Sequence, residues 1–348
     1  MTRSDAAVLA VDGGNSKTDL ALVARDGSLI ASGRGATISH QSSELGADAS
    51  PSERAGAGMA RLRALASEAL AARGSTTPDG AVGTRLAEVA VLCLAGADFP
   101  RDVRLLTRAA EAERLARRYL VRNDAFAALR AGAEAGWGIA LICGAGINAV
   151  GVSPAGRTAA FPAVGEISGD WGGSWSVGMA GLAAAVRARD GRGPRTDLER
   201  SVPAHFGLAQ PAAVTRAFYG QRVPMARVRE LSPVVFAAAA TGDAVAREIV
   251  DRLADELAAM AVALGRRLGL LRRDVAIVLA GGVFRTDDPA FYRRLEERIH
   301  ARMPGARVAR LTAPPVLGAA LLGLDQLRMS SSARRAAEAT LRRSFNRS

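Results

Sequence analysis

The chain opens with short apolar runs broken by glycine turns: AAVLAVD, GGNSKT, DLALVA, an Asp26-Gly27 step and SLIASGRG. Two strands joined across GGNSKT, followed by a third after the Asp-Gly turn, predict an antiparallel meander. From 51 to 73 the spacing becomes helical, with Met59, Leu62, Leu65, Ala66 and Leu70 on one face. STTPDG, at 75–80, reads as a loop. A strand (AEVAVLCLA), a helix at about 101–117, a strand (RYLVRND) and a helix at about 125–135 follow. This α/β alternation predicts a sheet covered by helices.

The pattern then restarts. A strand at 137–143 runs into a glycine turn at 144–146, and NAVGVS and RTAAF form two more strands across a Pro154–Gly156 turn. Strand, glycine turn, strand, turn, strand is thus written twice, at 7–35 and 137–161, as an internal duplication of a half-domain. The chain is mostly helical from 170 to about 270. A strand (DVAIVLAGG), a helix at about 289–302, a strand (ARVARL) and a helix entered at Pro314-Pro315 complete it. No Ser/Gly linker divides the chain, so the division is expected at a crossing helix near 122. Residues 1–121 then form an N-terminal domain on which a helix at 312–330 packs back. Residues 122–311 form a C-terminal domain, and 331–348 a basic tail.

Length and composition agree: 348 residues suit two cores, and 49% apolar with 23% charged residues is a globular balance. No apolar run approaches the ~20 residues of a bilayer span, and MTRSDAAVLAVDGG enters a strand without the long apolar stretch of a secretory signal. Cys93 and Cys143 lie inside apolar runs and read as core residues, with neither metal-ligand spacing nor a disulfide framework. A cytoplasmic enzyme without a membrane partner is expected. The net charge of +12 raises nucleic-acid binding, but part of it is a tail with six arginines from Arg328 onward against Glu338. The remaining arginines are scattered, with no aromatic-interleaved basic stripe, and nucleic acid is not expected as a partner. Lys17 is the only lysine among 46 basic side chains, and its neighbours suggest a reason.

Four blocks carry candidate chemistry. In VDGGNSKTD, Gly13 and Gly14 allow close backbone approach, and successive N–H groups can form an anion-binding concavity. Asn15, Lys17 and Thr18 belong to the same turn, while Asp12, at a strand end, is placed to hold a hydrated Mg²⁺. An ordinary hairpin is the bland alternative; GxxxxGK[ST] is absent. In GAGIN, Gly144, Ala145, Gly146 and Asn148 occupy the equivalent turn of the repeat, and two such turns could clamp one polyphosphate. In RNDAFAAL, Asn123 or Asp124 could cap a helix, or Asp124 could be the general base that takes a proton from a substrate hydroxyl. In AGGVFRTDDP, Gly281 and Gly282 follow an apolar strand and would admit a flat ring, or simply form a βα turn.

Together, in this order from about residue 8 to about residue 324, these blocks resemble the BadF/BadG-type ATPase and N-acetylglucosamine kinase family of the actin/hexokinase/Hsp70 superfamily. The resemblance implies an α/β fold of two ribonuclease-H-like (actin-like ATPase) domains with an interdomain ATP/sugar cleft. It implies ATP and Mg²⁺ as cofactors and phosphorylation of an amino sugar, N-acetylglucosamine or glucosamine, at O6. It makes 12–18 and 144–148 the two phosphate motifs, Asp124 in Asn-Asp-Ala the catalytic aspartate, and Gly281-Gly282 the adenosine motif. SGDWGGSW at 168–175 and DGRGP at 190–194 also match. Asp170 is implied to meet sugar hydroxyls, and Gly165 to lie near the sugar's acyl group. The sugar loop TISHQS brings in Ser39 and His40, and Asn123 joins them as a substrate contact. Homodimers are common in such a family.

The chain departs from the family pattern at Ala145 and Ile147, which lack hydroxyls in the second phosphate motif. It departs also at Ser39, where an Asn is usual, and at Trp171, where an acid is usual. His205 and His300 are read as surface residues on helices. Two other functions compete. One is an activator of the 2-hydroxyacyl-CoA dehydratase type, which would hold an iron–sulfur cluster through cysteines. The other is a non-catalytic sugar sensor, although Asp12 and Asp124 are both present.

Overall fold

The computed structural model describes residues 6–46, 48–72 and 85–346. The loop read at 75–80, Arg73 and Arg347 lie outside the described residues. Contacts divide the chain into two units, Met1–Gly136 with Leu311–Ser348, and Trp137–Arg310.

In the first unit the meander is β1 (Val8–Gly13), β2 (Thr18–Val23) and β3 (Leu29–Gly35). Helix α1 (Pro51–Ala71) starts from a capping box, Ser50 accepting the Glu53 N–H while Glu53 accepts the Ser50 N–H. Then come β4 (Ala87–Leu94), α2 (Pro100–Ala112), β5 (Ala116–Arg122) and α3 (Ala125–Gly132). The sheet order is β3-β2-β1-β4-β5, with β1, β4 and β5 parallel. Strand β1 reads as a continuous apolar run because both faces are covered. Leu9 and Val11 join the core with Met59, Leu62 and Leu106, and Val8 and Ala10 the opposite one.

That opposite face is covered by α3, α10 (Pro315–Gln326) and α11 (Ser331–Asn346). Two expectations change here. The boundary between units falls after Gly136, not at 121/122. β5 runs through residue 122, and α3 packs on α10 within the first unit. The basic tail is likewise part of the first unit's core: Ala337 and Leu341 of its helix are fully buried with α10. Burial of Leu341 alone stabilises by about 1.5–3 kcal/mol. Arg130, 6% exposed, pairs with Asp325 of α10 (3.1 Å) and Glu338 of α11 (2.7 Å).

In the second unit, β6 (Gly138–Cys143), β7 (Ile147–Val152) and β8 (Thr158–Ala160) repeat the meander. A helical layer follows: α4 (Gly173–Arg189), α5 (Leu198–His205), α6 (Pro211–Tyr219), α7 (Leu231–Ala240) and α8 (Ala244–Leu268). Strand β9 (Val275–Ala280), α9 (Pro289–His300) and β10 (Ala306–Arg310) close the unit. The order β10-β9-β6-β7-β8 has β6, β9 and β10 parallel, the arrangement of the first sheet read strand for strand. The duplication seen in the sequence is thus a duplicated topology. Cys93 and Cys143 sit wholly buried in β4 and β6, and burial pushes the Cys143 thiol up to about 12. Both pack as small core side chains. His205 and His300 end α5 and α9, where they meet Glu230 (3.1 Å) and the Ala306 carbonyl (2.9 Å). No described helix is long and apolar enough to cross a membrane.

Candidate functional site

Parallel pairing aligns the C-terminal ends of β1, β4 and β5 in the first unit, since Asp12 stands opposite Cys93 and Cys93 opposite Arg122. Loops leaving the carboxyl ends of parallel strands are where α/β sheets place ligands. Three carboxylates gather there. Burial and repulsion from Asp124 and Asp19, partly offset by Lys17, push Asp12 up to about 7. Burial and the neighbouring Asp98 raise Asp124 to about 6. Burial, opposed by a hydrogen bond from Asn123, raises Asp98 to about 6, with a smaller contribution from Asp102. Carboxylates this close hinder one another's ionisation, while among the described residues no group of three or more His, Cys, Asp or Glu is placed to hold a metal ion.

Asn123 organises this edge. Its Nδ2 donates to Asp98 Oδ1 at 2.7 Å, and its Oδ1 accepts the Ala125 N–H at 2.9 Å, closing a turn just before α3. Asp98 was not among the sequence candidates. Its signal was there, a carboxylate just beyond the apolar run AVLCLA, but only the parallel pairing of β4 with β1 shows that this run ends beside Asp12.

The first glycine turn closes through the Gly14 N–H to the Lys17 carbonyl (2.9 Å), and Thr37 Oγ1 donates to the Gly14 carbonyl (2.9 Å). Asn15 and Ser16 are exposed, and among the described residues their N–H groups have no backbone acceptor. Lys17, half exposed, spends its ammonium on Asp19 at 2.7 Å. Arg34 joins Asp19 at 2.5 Å. Against the cost of burial, these two cations hold the Asp19 carboxyl below its ordinary range. Thr18 is fully buried and among the described residues its hydroxyl lacks a partner, so it faces inward rather than onto the turn's open side.

The segment 37–41 is held from behind by α1. Arg61 donates to the Thr37 carbonyl (2.8 Å), and Arg54 to the His40 carbonyl (2.8 Å). Ser39 is 3% and His40 5% exposed. Burial lowers the His40 pKa, with Asp102 opposing and Arg54 and Arg101 assisting, and its buried Nδ1 has no partner among the described residues. A Cβ on Gly96 would stand 3.0 Å from both His40 Cε1 and the Gln41 side chain. The loop carrying Asp98 and the loop carrying His40 are therefore neighbours.

In the second unit the turn at 144–146 is backed by α4. The N–H groups of Ser174 and Trp175 donate to the carbonyls of Gly144 (2.8 Å) and Ala145 (3.0 Å). With those carbonyls tied, the N–H groups of Ala145 and Gly146, which have no backbone acceptor among the described residues, are left for an anion. The loss of hydroxyls at Ala145 and Ile147 is compatible with such a backbone site. Gly173 must be glycine: its φ is +75°, and a Cβ would lie 2.5 Å from Gly146 Cα and 2.6 Å from the Ala145 carbonyl.

A cavity of about 450 Å³ opens on this turn, lined also by Gly165, Asp170, Trp175 and Arg229. Asp170 accepts the Ser168 hydroxyl, and its N–H reaches the Gly165 carbonyl at 3.2 Å. Trp171, at the departure from the family pattern, lies under the Arg252 guanidinium, 4.0 Å from the ring centre. Asn148 is on β7, paired with Ile142. Gly281 sits so close to the Cys143 carbonyl that a Cβ would approach within 2.4 Å. Gly282 lines a second cavity of about 490 Å³, with Phe236, Val283, Thr286 and Asp288. The structure thus groups Asp12, Asn123 and Asp124 at one strand edge of the first unit. It groups Ala145, Gly146, Gly165 and Asp170 around one cavity of the second, with Gly144 next to it in the turn and Gly282 on another cavity.

Comparison with known proteins follows the same lines. A curated N-acetylmuramic acid/N-acetylglucosamine kinase of Clostridium acetobutylicum is 26% identical over 249 residues, 71% of this chain and 81% of the relative. An N-acetyl-D-glucosamine kinase of Dictyostelium discoideum is 27% identical over 244 residues, 68% of this chain and 76% of the relative. The fold is shared with a candidate N-acetylglucosamine kinase from Chromobacterium violaceum, with a TM-score of 0.67 at 20% identity, covering 92% of this chain and all (100%) of the other. Residues 9–323 match the BadF/BadG/BcrA/BcrD ATPase family. The two duplicated sheets, the paired glycine turns and this match make the chain a member of the BadF/BadG/BcrA/BcrD ATPase family.

Proposed function

We propose that the protein is an ATP-dependent amino-sugar kinase that transfers the γ-phosphoryl group to a sugar hydroxyl, O6 of N-acetylglucosamine or glucosamine. The observation that carries this reading is the carboxylate edge. Asp12 raised to about 7 beside Asp124 raised to about 6 is an arrangement that a divalent cation relieves. Within the first unit, these acids and the turn at 14–17 are the candidates for the cation and phosphates. Within the second, the backbone N–H groups of Ala145 and Gly146 are candidates for phosphate and the cavity beside Gly282 for the adenosine. The kinase names carried by both curated relatives support the same class. Mg²⁺ would supply charge neutralisation at the phosphates; the chain's residues bind, orient and accept the proton.

Asp124 is proposed as the general base, with Asp170, Asn123, Ser39 and His40 meeting the sugar. One observation favours a second assignment, with Asp98 as the base and Asp124 as partner of Asp12 at the cation. Asp98 stands on the loop beside His40 and is aimed by Asn123 at 2.7 Å, whereas the strongest charge acting on Asp12 is Asp124.

A screen of sugar-dependent ADP release over N-acetylglucosamine, glucosamine, N-acetylmuramic acid and glucose tests the class, with mass spectrometry and NMR locating the phosphate. Absence of release with every sugar, from protein that binds ATP, overturns it. Asp98→Asn and Asp124→Asn then divide the roles. The base variant loses roughly 10²–10⁴-fold in kcat at unchanged Mg²⁺ requirement, and the cation-holding variant needs more Mg²⁺.

A further inference from the structure

We infer that Arg229 is a catalytic residue that holds the phosphoryl group in flight, an inference that rests on the kinase reading above. Arg229 belongs to a 3₁₀ helix, Met225–Glu230, packed beneath α4. The approach is close enough that a Cβ on Gly178 would stand 2.1 Å from the Val228 carbonyl oxygen. That contact sets the 3₁₀ turn against the helix whose first N–H groups tie down the second glycine turn. Arg229 is thereby brought to the cavity of about 450 Å³ that also exposes Ala145 and Gly146.

Three features single it out. It is the one cationic side chain among the residues lining this cavity. Its Nε donates to the Ala226 carbonyl at 3.0 Å, which orients the guanidinium, and among the described residues it makes no ion pair. Its neighbour Arg227 is committed to Glu230 at 2.8 and 2.9 Å. Glu166 and Asp170 line the same cavity and repel an anion. A phosphate drawn to the free N–H groups of the turn thus has Arg229 as its only cationic side chain there. A planar guanidinium matches phosphate oxygens two at a time.

In the transfer, the sugar oxygen–phosphorus bond forms as the bond from that phosphorus to the oxygen of departing ADP breaks. The hydroxyl proton goes to the carboxylate base. Arg229 exchanges no atom; it neutralises charge on the phosphoryl oxygens between the two bonds.

Steady-state kinetics of wild type, Arg229→Gln and Arg229→Lys provide the test, with calorimetric binding of inorganic pyrophosphate to each and circular dichroism as the folding control. Arg229→Gln is expected to lower kcat by roughly 10²–10³-fold with the sugar KM nearly unchanged, and Arg229→Lys to recover part of it. Pyrophosphate binding should weaken in Arg229→Gln. A kcat close to wild type overturns the inference, as does an effect confined to the sugar KM, which would make Arg229 a reader of the sugar. Should wild type phosphorylate no sugar, the kinase reading fails separately. Pyrophosphate binding then still decides the anion assignment: weaker in Arg229→Gln upholds it, and equal overturns it.

Discussion

Asn123 ties Asp98 to the start of α3, donating to its carboxylate at 2.7 Å while accepting the Ala125 N–H at 2.9 Å. One side chain therefore fixes both a helix start and the direction of a carboxylate. Asn123→Ala is expected to cost about 1–2 kcal/mol of stability, from the loss of two hydrogen bonds. The hydrogen bond favours ionised Asp98, so its loss moves the Asp98 pKa further above about 6. The acid limb of the kcat/KM profile should move to higher pH. A profile that stays in place would show that Asp98 takes no part in turnover.

Asp12 gives a pH dependence of stability with a definite sign. Its carboxyl titrates near 3.8 in an unfolded chain and at about 7 in the fold. Between those values the folded protein binds more protons than the unfolded one, so this group withdraws stability as pH rises from about 4 to about 7. Asp12→Asn, free of the charge, should melt above wild type at pH 8, with a stability gain of at most about 4 kcal/mol from the displacement of 3.8 to about 7. The difference should close towards pH 4. Added Mg²⁺ should narrow the gap at pH 8 by stabilising wild type alone. Thermal melts at both pH values, with and without Mg²⁺, check this; a variant less stable than wild type at pH 8 would contradict it.

Gly173 is where α4 presses on the second glycine turn. Its positive φ and the 2.5 Å approach of any Cβ to Gly146 Cα leave alanine no place without moving backbone. Gly173→Ala is expected to cost roughly 2–4 kcal/mol and to raise the KM for ATP, because the turn it displaces carries the free N–H groups. Denaturant unfolding and ATP titration together read both effects.

Arg130 is buried between α3, α10 and α11 with two acidic partners. Arg130→Ala leaves Asp325 and Glu338 facing each other without a cation, at a cost of about 3 kcal/mol. The expected first event is release of α11, seen as faster amide exchange from Ser331 to Asn346. Exchange unchanged in that helix would show that apolar contacts through Ala337 and Leu341 hold it unaided.

Much of the fold was written in local pattern. Period-two and period-3.6 spacing marked the strands and helices, and the two meanders announced the duplicated sheets, because side-chain alternation is fixed by a residue's near neighbours along the chain. The glycine turns, Asp12, Asn123 and Asp124 were legible for the same reason, each being short-range turn or cap chemistry. What the sequence could not decide was which distant segments share an edge. Asp98 became a site candidate only through the pairing of β4 with β1, Arg229 only through the packing of its 3₁₀ turn under α4, and the basic tail became a packed helix only because α10 offers Leu341 a surface. Lys17, singled out as the lone lysine, was claimed by Asp19, two residues further along the chain. Sequence spacing dictates elements, whereas burial, charge pairing and raised carboxyl pKa values depend on distances through space, which only the assembled sheets create.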